Sequence, residues 1–275
     1  MLLIALIVLL LMASNVSAEK VCGVYFTKIG CPVCAKVDPV ILDQWVPSRN
    51  DVVVIEYVMD SWYSPNAVLM GEYNLTHGTG GSVPLMIKNA NETWAGIPAF
   101  YTNDNIFQYA EEFFENDKGE CLLTDGEISF EELNLNDLPE KPKVWAGKRL
   151  LVKTGDSVIE SDFLKELLFE ENLAEVLASS QYELREVKAE PAPYSGGEIP
   201  FSQAIDIGGE WVLKLKEAIE LPENVAPLQN GSNSGNGNDN GSPGNVTEEN
   251  PFVFPAILLI ICVVAIIVFI KVKKK

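Results

Sequence analysis

The sequence predicts an α/β fold in its first half, followed by a small α+β module and a single C-terminal transmembrane helix. Three observations predict this fold class. A β-branched and aromatic segment at 24–27 comes just before a helical pattern that begins at Cys34. Mixed strand and helix patterns follow from residue 126, and an uncharged run at 251–270 is long enough to cross a bilayer.

Composition limits the classes of protein that the chain can belong to. Its 275 residues allow one or two ordinary domains, and its 47% of apolar residues excludes wholesale disorder. The 39 acidic side chains outnumber the 20 Lys and Arg, which gives a formal net charge of −19. This charge argues against a nucleic-acid partner, because phosphate binding needs a basic face.

The N-terminus predicts secretion. Residues 2–12 form an unbroken apolar run, which small and polar residues follow up to Ala18. The run has the length of a signal-peptide core and is too short to span a bilayer. We therefore expect residues 1–18 to be a cleaved signal peptide, with a buried or anchoring segment as the alternative.

The C-terminus predicts a membrane anchor. The run at 251–270 is directly followed by a Lys-rich tail at 271–275, and clustered Lys beside a span stays cytoplasmic. Residues 223–250 are rich in Asn, Gly and Ser, which is typical of a flexible linker. The expected location is the cell membrane, with one pass, the N-terminal bulk outside the cytoplasm and a short cytoplasmic tail.

The candidate chemistry lies in Cys31-Pro32-Val33-Cys34, where the predicted strand ends and the helix begins. Thiol–disulfide exchange needs a thiolate, and unpaired N–H groups at a helix N-terminus stabilise one. Pro32 suits the first turn, where its missing N–H costs nothing. Cys31 is thus the candidate nucleophile, and Cys34 would resolve the mixed disulfide.

Two other interpretations of this motif stay open. A Cys pair at this spacing is also half of a zinc site, for which Cys22, Cys121 and His77 are the candidate further ligands. The chain has no second such pair, and an oxidising exterior favours disulfides, so no metal is expected. A purely structural Cys31–Cys34 disulfide is the other alternative.

The order of strand, Cys pair and helix resembles the thioredoxin superfamily, over about residues 20–120. Pro39 lies where thioredoxins carry the Pro that kinks their first long helix, and 51–60 matches their next central strand. The segment 81–87 resembles the cis-Pro loop of the family and the strand after it. The resemblance implies that Pro84 shapes a substrate groove, and that the backbone of Val83 pairs with substrate. A hairpin partner at 92–97 and a helix around 106–116 would complete a domain spanning 19–125.

The chain also departs from thioredoxin itself. Thioredoxin has a buried Asp in the strand before the motif, and Tyr25 stands at the matching position here. Pro32 after the first Cys resembles glutaredoxins and the DsbA-type oxidants, and Val83 before the cis-Pro resembles DsbA too. The resemblance therefore implies an extracytoplasmic oxidant or isomerase rather than a cytosolic type of reductant.

Two more Cys need a role. With Cys31 and Cys34 paired, Cys22 and Cys121 are the remaining thiols outside the predicted span, and free thiols rarely persist in an oxidising exterior. We predict a structural disulfide between them, with a resolving role for Cys22 as the alternative. Trp62 and Tyr63 are expected to pack against the fold rather than to roof the active site.

Residues 126–222 carry no catalytic motif. Hairpins are predicted from 143–145 with 150–152 and from 205–207 with 211–213. Between them, an apolar stripe at 163–177 predicts a helix, and the alternation at 182–189 predicts a strand. We expect a small α+β module beside the first domain, with an unknown role.

These observations predict a membrane-tethered thiol–disulfide oxidoreductase that serves secreted proteins. The dithiol itself carries two electrons, so no organic cofactor is expected. Expected partners are Cys-containing extracytoplasmic proteins and a multi-span membrane redox protein. The alternatives are a thiol reductase, for cytochrome maturation or for specific Cys, and a redox-inert interaction or chaperone module on the same fold.

Overall fold

The computed structural model describes residues 20–96, 101–115 and 119–222, together with the backbone of 226–227. All of these residues belong to one compact unit. The predicted signal peptide at 1–18, most of the predicted linker, the predicted span at 251–270 and the tail at 271–275 lie outside the described residues.

The first half alternates strands and helices. Its strands are β1 (Val21–Lys28), β2 (Val52–Met59), β3 (Leu85–Asn89), β4 (Glu92–Ala95), β5 (Glu120–Leu123) and β6 (Gly126–Ser129). Its helices are α1 (Cys34–Val40), α2 (Val46–Ser48), α3 (Pro65–His77) and α4 (Asn103–Phe113). A π-helical segment, Ile41–Trp45, joins α1 to α2 just after Pro39, which has no N–H to donate. The predictions of strands at 24–27 and 51–60 and of a helix from Cys34 are thus confirmed.

The second half is mostly antiparallel. A 3₁₀ turn at Leu135–Asp137 leads to β7 (Lys143–Ala146) and β8 (Arg149–Lys153), and the helices α5 (Ser161–Phe169) and α6 (Leu173–Ala178) follow. The remaining strands are β9 (Leu184–Val187), β10 (Ala192–Tyr194), β11 (Gly197–Ile199), β12 (Gln203–Ile207), β13 (Trp211–Leu215) and β14 (Ala226–Pro227). The two predicted hairpins are present, but the single helix predicted at 163–177 is two helices.

Ten of these strands form one mixed sheet, in the order β14-β9-β12-β13-β8-β7-β2-β1-β3-β4. β1 and β2 run parallel, as do β9 and β14, and the other neighbours are antiparallel. The β5–β6 and β10–β11 hairpins form two small separate sheets. The arrangement β2-β1-β3-β4, with helices between the strands, is compatible with a thioredoxin-like fold.

The predicted fold class is wrong. It placed a separate α+β module after the first domain, whereas β7 pairs with β2 and continues the same sheet. The outer edge of β2 would otherwise expose a row of unpaired backbone groups, and β7 satisfies them. It also included a transmembrane helix at 251–270, which lies outside the described residues, and no helix of the described residues is long and apolar enough to cross a membrane. Even α3, with 13 residues, would reach only about 20 Å.

The central strands are buried on both faces. On one face of β1, the side chains of Cys22, Val24 and Phe26 belong to a core that continues into the second half. On the other face, Tyr25 packs with the helical segment that follows the Cys pair. This alternation follows from the two-residue period of a strand, and it decides which residues of β1 approach the candidate site.

Candidate active site

Cys31 and Cys34 lie where β1 gives way to α1, as the sequence predicts. The chain turns through Gly30, whose φ of +80° favours glycine, and the N–H of Cys31 donates to the carbonyl oxygen of Lys28 at 3.1 Å. The structure joins Cys31 and Cys34 by a disulfide, with their Cα atoms 5.3 Å apart. The motif is therefore an oxidised dithiol at the start of a helix.

The two sulfurs have different surroundings. Cys31 is partly exposed, whereas the side chain of Cys34 is fully buried. The backbone N–H of Cys34 points at Sγ of Cys31 from 3.2 Å. In the reduced protein this N–H would stabilise a thiolate on Cys31. An attacking group from solvent thus reaches Cys31 first, and Cys34 stays protected behind it.

The segment before β3 completes the rim of the site. The peptide bond between Val83 and Pro84 is cis, and Pro84 is buried directly before β3. The carbonyl oxygen of Val83 lies 3.8 Å from Sγ of Cys31. The four residues that the sequence predicts for catalysis and substrate contact therefore lie together: Cys31, Cys34, Val83 and Pro84.

A buried carboxylate that the sequence analysis missed lies on the helix of the Cys pair. Asp38 is fully buried, and its Oδ1 accepts a hydrogen bond from the hydroxyl of Tyr25 at 2.6 Å. The hydroxyl of Thr27 is 2.9 Å from Oδ1 and 2.8 Å from Oδ2. Burial raises the pKa of Asp38 from 3.8 to about 6, although these hydrogen bonds oppose the shift.

The sequence did contain a signal for Asp38. This acid is the fourth residue after Cys34, so both face the same side of the helix, and it interrupts the apolar series of Val37, Val40 and Ile41. A charge inside an apolar stripe costs free energy unless it has buried partners. Tyr25 and Thr27 are those partners, since both side chains leave β1 on the face that meets the helix.

A second buried carboxylate connects this cluster to the second half of the chain. Glu56 on β2 is the cross-strand neighbour of Tyr25. Its Oε2 accepts a hydrogen bond from the indole N–H of Trp145 at 2.6 Å and lies 3.7 Å from Nζ of Lys143. Burial raises the pKa of the Glu56 carboxyl, and the nearby ammonium of Lys143 opposes that shift.

The β10–β11 hairpin of the second half also reaches the Cys pair. The hydroxyl of Ser195 donates to the carbonyl oxygen of Cys31 at 2.7 Å. The backbone N–H of the same residue donates to Oδ2 of Asp38 at 3.1 Å. The sequence predicts no role for this turn, because no local pattern shows that residue 195 meets residue 31.

Cys22 and Cys121 form the second disulfide, which lies apart from the rim. Their Cα atoms are 4.9 Å apart, and both side chains are fully buried in the core on the face of β1 opposite Tyr25. A resolving role for Cys22 therefore has no support from its position. Nε2 of His77, the third residue weighed for zinc, lies 2.8 Å from the carbonyl oxygen of Leu123. In the described ranges, no group of three or more His, Cys, Asp or Glu could hold a metal ion.

Two aromatic side chains after β2 are exposed, so the expectation that they pack against the fold is wrong. Trp62 is 52% exposed and Tyr63 is 94% exposed. Nζ of Lys28, which ends β1, lies 5.8 Å from the centre of the Trp62 ring. Ile29, two residues before Cys31, is also exposed, so one apolar side chain reaches solvent close to the Cys pair in sequence.

Comparison with known proteins gives no match to a family, a curated protein or a solved structure. The mixed α/β sheet and the Cys31–Cys34 disulfide are compatible with the thioredoxin-like fold, and they are consistent with redox activity.

Proposed function

We propose that the chain is a thiol–disulfide oxidoreductase, with Cys31 as the attacking or attacked sulfur and Cys34 as the resolving one. The observation that carries this proposal is the pairing of a partly exposed Cys31 with a fully buried Cys34. A cross-link that only stabilised the fold would gain little from so short a loop, because the entropy that a disulfide removes grows with loop length. The exposed sulfur is also the one at which the N–H of Cys34 points.

The reaction needs only the two sulfurs and the substrate. A substrate thiolate attacks Sγ of Cys31, the Cys31–Cys34 bond breaks, and Cys34 leaves as a thiolate. A second substrate thiolate then attacks the substrate sulfur of the mixed disulfide, so that a substrate disulfide forms and Cys31 leaves as a thiolate. Two electrons pass from substrate to the Cys pair, and the two protons lost by the substrate thiols balance the two thiolates formed. Reduction of a substrate disulfide is the same sequence in reverse.

The surroundings of Cys31 favour a polypeptide substrate. The carbonyl of Val83 beside the sulfur offers an acceptor to a passing peptide N–H, as the family resemblance implies. Trp62 and Tyr63 offer exposed aromatic faces that an unfolded or partly folded chain would cover. Proteins with free or mispaired Cys are therefore the proposed substrates, and the proposed direction is oxidation or isomerisation.

The proposed compartment is an oxidising one outside the cytoplasm. The disulfide between Cys22 and Cys121 supports this, because buried disulfides that serve only stability are rare in reducing compartments. A separate redox protein would regenerate the Cys31–Cys34 disulfide after each turnover. The proposed chemistry uses no organic cofactor, since the pair itself stores the two electrons.

The reduction potential of Cys31–Cys34 in the full chain tests the proposal. The protein is equilibrated in glutathione buffers of graded ratio, quenched with acid, alkylated and analysed by mass spectrometry. We expect a potential above about −180 mV, in the range of disulfide oxidants and isomerases. Given a peptide that contains a disulfide, Cys31 of the Cys34→Ser variant should attack it and stay joined to one peptide sulfur as a mixed disulfide, while the other peptide sulfur leaves as a thiolate. Cys31→Ser, the matched control, should trap none.

The same experiment discriminates the alternatives. A potential near −270 mV would instead favour a thiol reductase for cytochrome maturation or for specific Cys. If the Cys31–Cys34 pair does not exchange with glutathione at any ratio, the enzyme proposal fails. A redox-inert interaction module would then be the better account.

A further inference from the structure

The β10–β11 hairpin lies against the start of the helix that carries the Cys pair. β10 contacts α1, and Ala192 and Ile199 at the two ends of the hairpin are buried in the same core as Val37. The hairpin is not part of the ten-stranded sheet, so its position depends on these contacts rather than on strand pairing with that sheet. A segment far along the chain thus forms one wall of the candidate site.

Ser195, in the turn of this hairpin, bridges two parts of the site. Its hydroxyl is bonded to the carbonyl of Cys31 and its N–H to the carboxylate of Asp38, 164 and 157 residues away in sequence. The carbonyl of Cys31 also accepts the N–H of Ala35 at 3.0 Å, so the hydroxyl adds a second donor to the same oxygen. One residue thereby fixes both the backbone of the reactive Cys and the buried acid.

The turn fits tightly on the helix at Gly196. A Cβ placed on this residue would come within 2.7 Å of the carbonyl oxygen of Ala35, a distance that side chains do not tolerate. The close approach therefore requires glycine at this position. It also provides a way to push the hairpin away from the helix without altering Cys31, Cys34 or Asp38.

We propose that the β10–β11 hairpin is a clamp on the Cys pair, with Ser195 as a positioning residue that sets the redox balance of the pair. This inference rests on the proposed oxidoreductase function and assigns part of its control to the second half of the chain. Ser195 touches neither sulfur through a hydrogen bond of its own. It acts through the backbone of Cys31 and through Asp38, one helical turn beyond Cys34.

The clamp has two expected consequences. The hydroxyl of Ser195 holds the carbonyl of Cys31 in the disulfide form. The proposal requires this bond to be weaker in the dithiol, so that losing the hydroxyl shifts the equilibrium toward the dithiol. The N–H of Ser195 favours the charged form of Asp38, so lengthening this bond should raise the pKa of that carboxyl. The other titratable groups that act on Asp38 are Tyr25, Glu56 and Tyr194.

The test uses three variants of the full chain. Ser195→Ala removes the hydroxyl, and Gly196→Ala displaces the turn. Glu198→Ala changes an exposed residue of the same hairpin and serves as the matched control. For each protein we would measure the equilibrium constant with glutathione and the pH dependence of alkylation of reduced Cys31. Asp38→Asn identifies the part of the pH profile that belongs to the acid.

We expect Ser195→Ala to shift the equilibrium constant toward the dithiol by at least about threefold, and Glu198→Ala to leave it unchanged. Asp38→Asn should abolish one inflection in the pH profile of Cys31 alkylation. Gly196→Ala should move that inflection to higher pH. If the wild-type pair exchanges with glutathione but Ser195→Ala and Gly196→Ala match it in both readouts, the clamp is overturned and the oxidoreductase proposal stands. A shift of the inflection to lower pH would mean that the hairpin only excludes water, which also overturns the role of Ser195.

If Gly196→Ala does not fold, Ser195→Ala decides the proposal through the equilibrium constant, because removal of one hydroxyl leaves the turn sterically unchanged. If the wild-type pair does not exchange with glutathione, the proposed function fails first, and the clamp proposal fails with it.

Discussion

The two disulfides differ in every property that decides whether a disulfide exchanges. Cys31 and Cys34 are 3 residues apart and Cys31 is partly exposed, whereas Cys22 and Cys121 are 99 residues apart and fully buried. A thiolate from solvent can therefore reach only the first pair without unfolding the chain. The long loop makes the second pair the one that stabilises the fold, since loop entropy grows with length.

Strand β1 connects the two pairs. Cys22 lies near the start of the strand, and Cys31 follows its end by three residues. The central position of β1 between β2 and β3 keeps both ends in place. One strand thus holds an inert cross-link at one end and an exposed, exchangeable one at the other.

The largest expected effect comes from the exposed sulfur. Cys31→Ser should lower the rate of disulfide exchange with a model peptide by a factor of about 10³ or more, because the attacking group is lost. Unfolding by denaturant should change little. Exchange that persisted at the wild-type rate in this variant would show that another sulfur reacts and would break the distinction between the two pairs.

The buried pair should show the opposite pattern. Replacing Cys22 and Cys121 together by Ala should lower the free energy of unfolding by about 4 kcal/mol, since the unfolded chain regains the freedom of a 99-residue loop. Denaturant titration measures this loss. The folded variant should keep the glutathione equilibrium of Cys31–Cys34, and a large change in that equilibrium would argue against a purely structural role.

The buried acid one helical turn after Cys34 should make stability depend on pH. The pKa of Asp38 is about 6 in the folded protein, against 3.8 as its ordinary value. Between these values the unfolded chain loses the proton and the folded chain keeps it, so stability falls as pH rises. The free energy of unfolding should fall by about 3 kcal/mol in total, because each pH unit between the two pKa values contributes about 1.36 kcal/mol.

Asp38→Asn provides the control for this prediction. The amide has no proton to lose, so the stability of this variant relative to wild type should rise between pH 4 and pH 6 and then level off. Urea titrations at several pH values measure the difference. A relative stability that is flat over this range would contradict the raised pKa of Asp38.

The local parts of the site could be predicted from sequence. The β-branched strand, the turn at Gly30 and the helical spacing after Cys34 are short-range signals, and they place Cys31 and Cys34 correctly at the end of β1. Asp38 was within reach of the same reasoning, because an acid inside an apolar stripe demands a buried partner. The cis peptide bond at Val83–Pro84 came from the family resemblance, since residue patterns alone do not reveal it.

The long-range parts could not be predicted. The segment 143–146 reads as one strand of a local hairpin, and nothing in its pattern shows that it also pairs with β2, some 90 residues earlier in the chain. Strand pairing depends on backbone groups that every residue carries, so an apolar strand does not identify its neighbour. The turn at Ser195 has the same difficulty, because its partners, the carbonyl of Cys31 and the carboxylate of Asp38, are fixed only by tertiary packing.

The smallest expected effect concerns the exposed aromatic residues after β2. If Trp62 and Tyr63 contact polypeptide substrates, replacing both by Ala should raise KM for a Cys-containing peptide by about fivefold. The rate with glutathione, which is too small to cover both residues, should not change. Val158→Ala removes another exposed apolar side chain, 75% accessible and just before α5, and it should leave both substrates unaffected. An equal effect on peptide and glutathione would mean that the aromatic pair acts on the Cys31–Cys34 disulfide itself rather than on substrate, because only contacts beyond the reacting sulfur distinguish the two substrates.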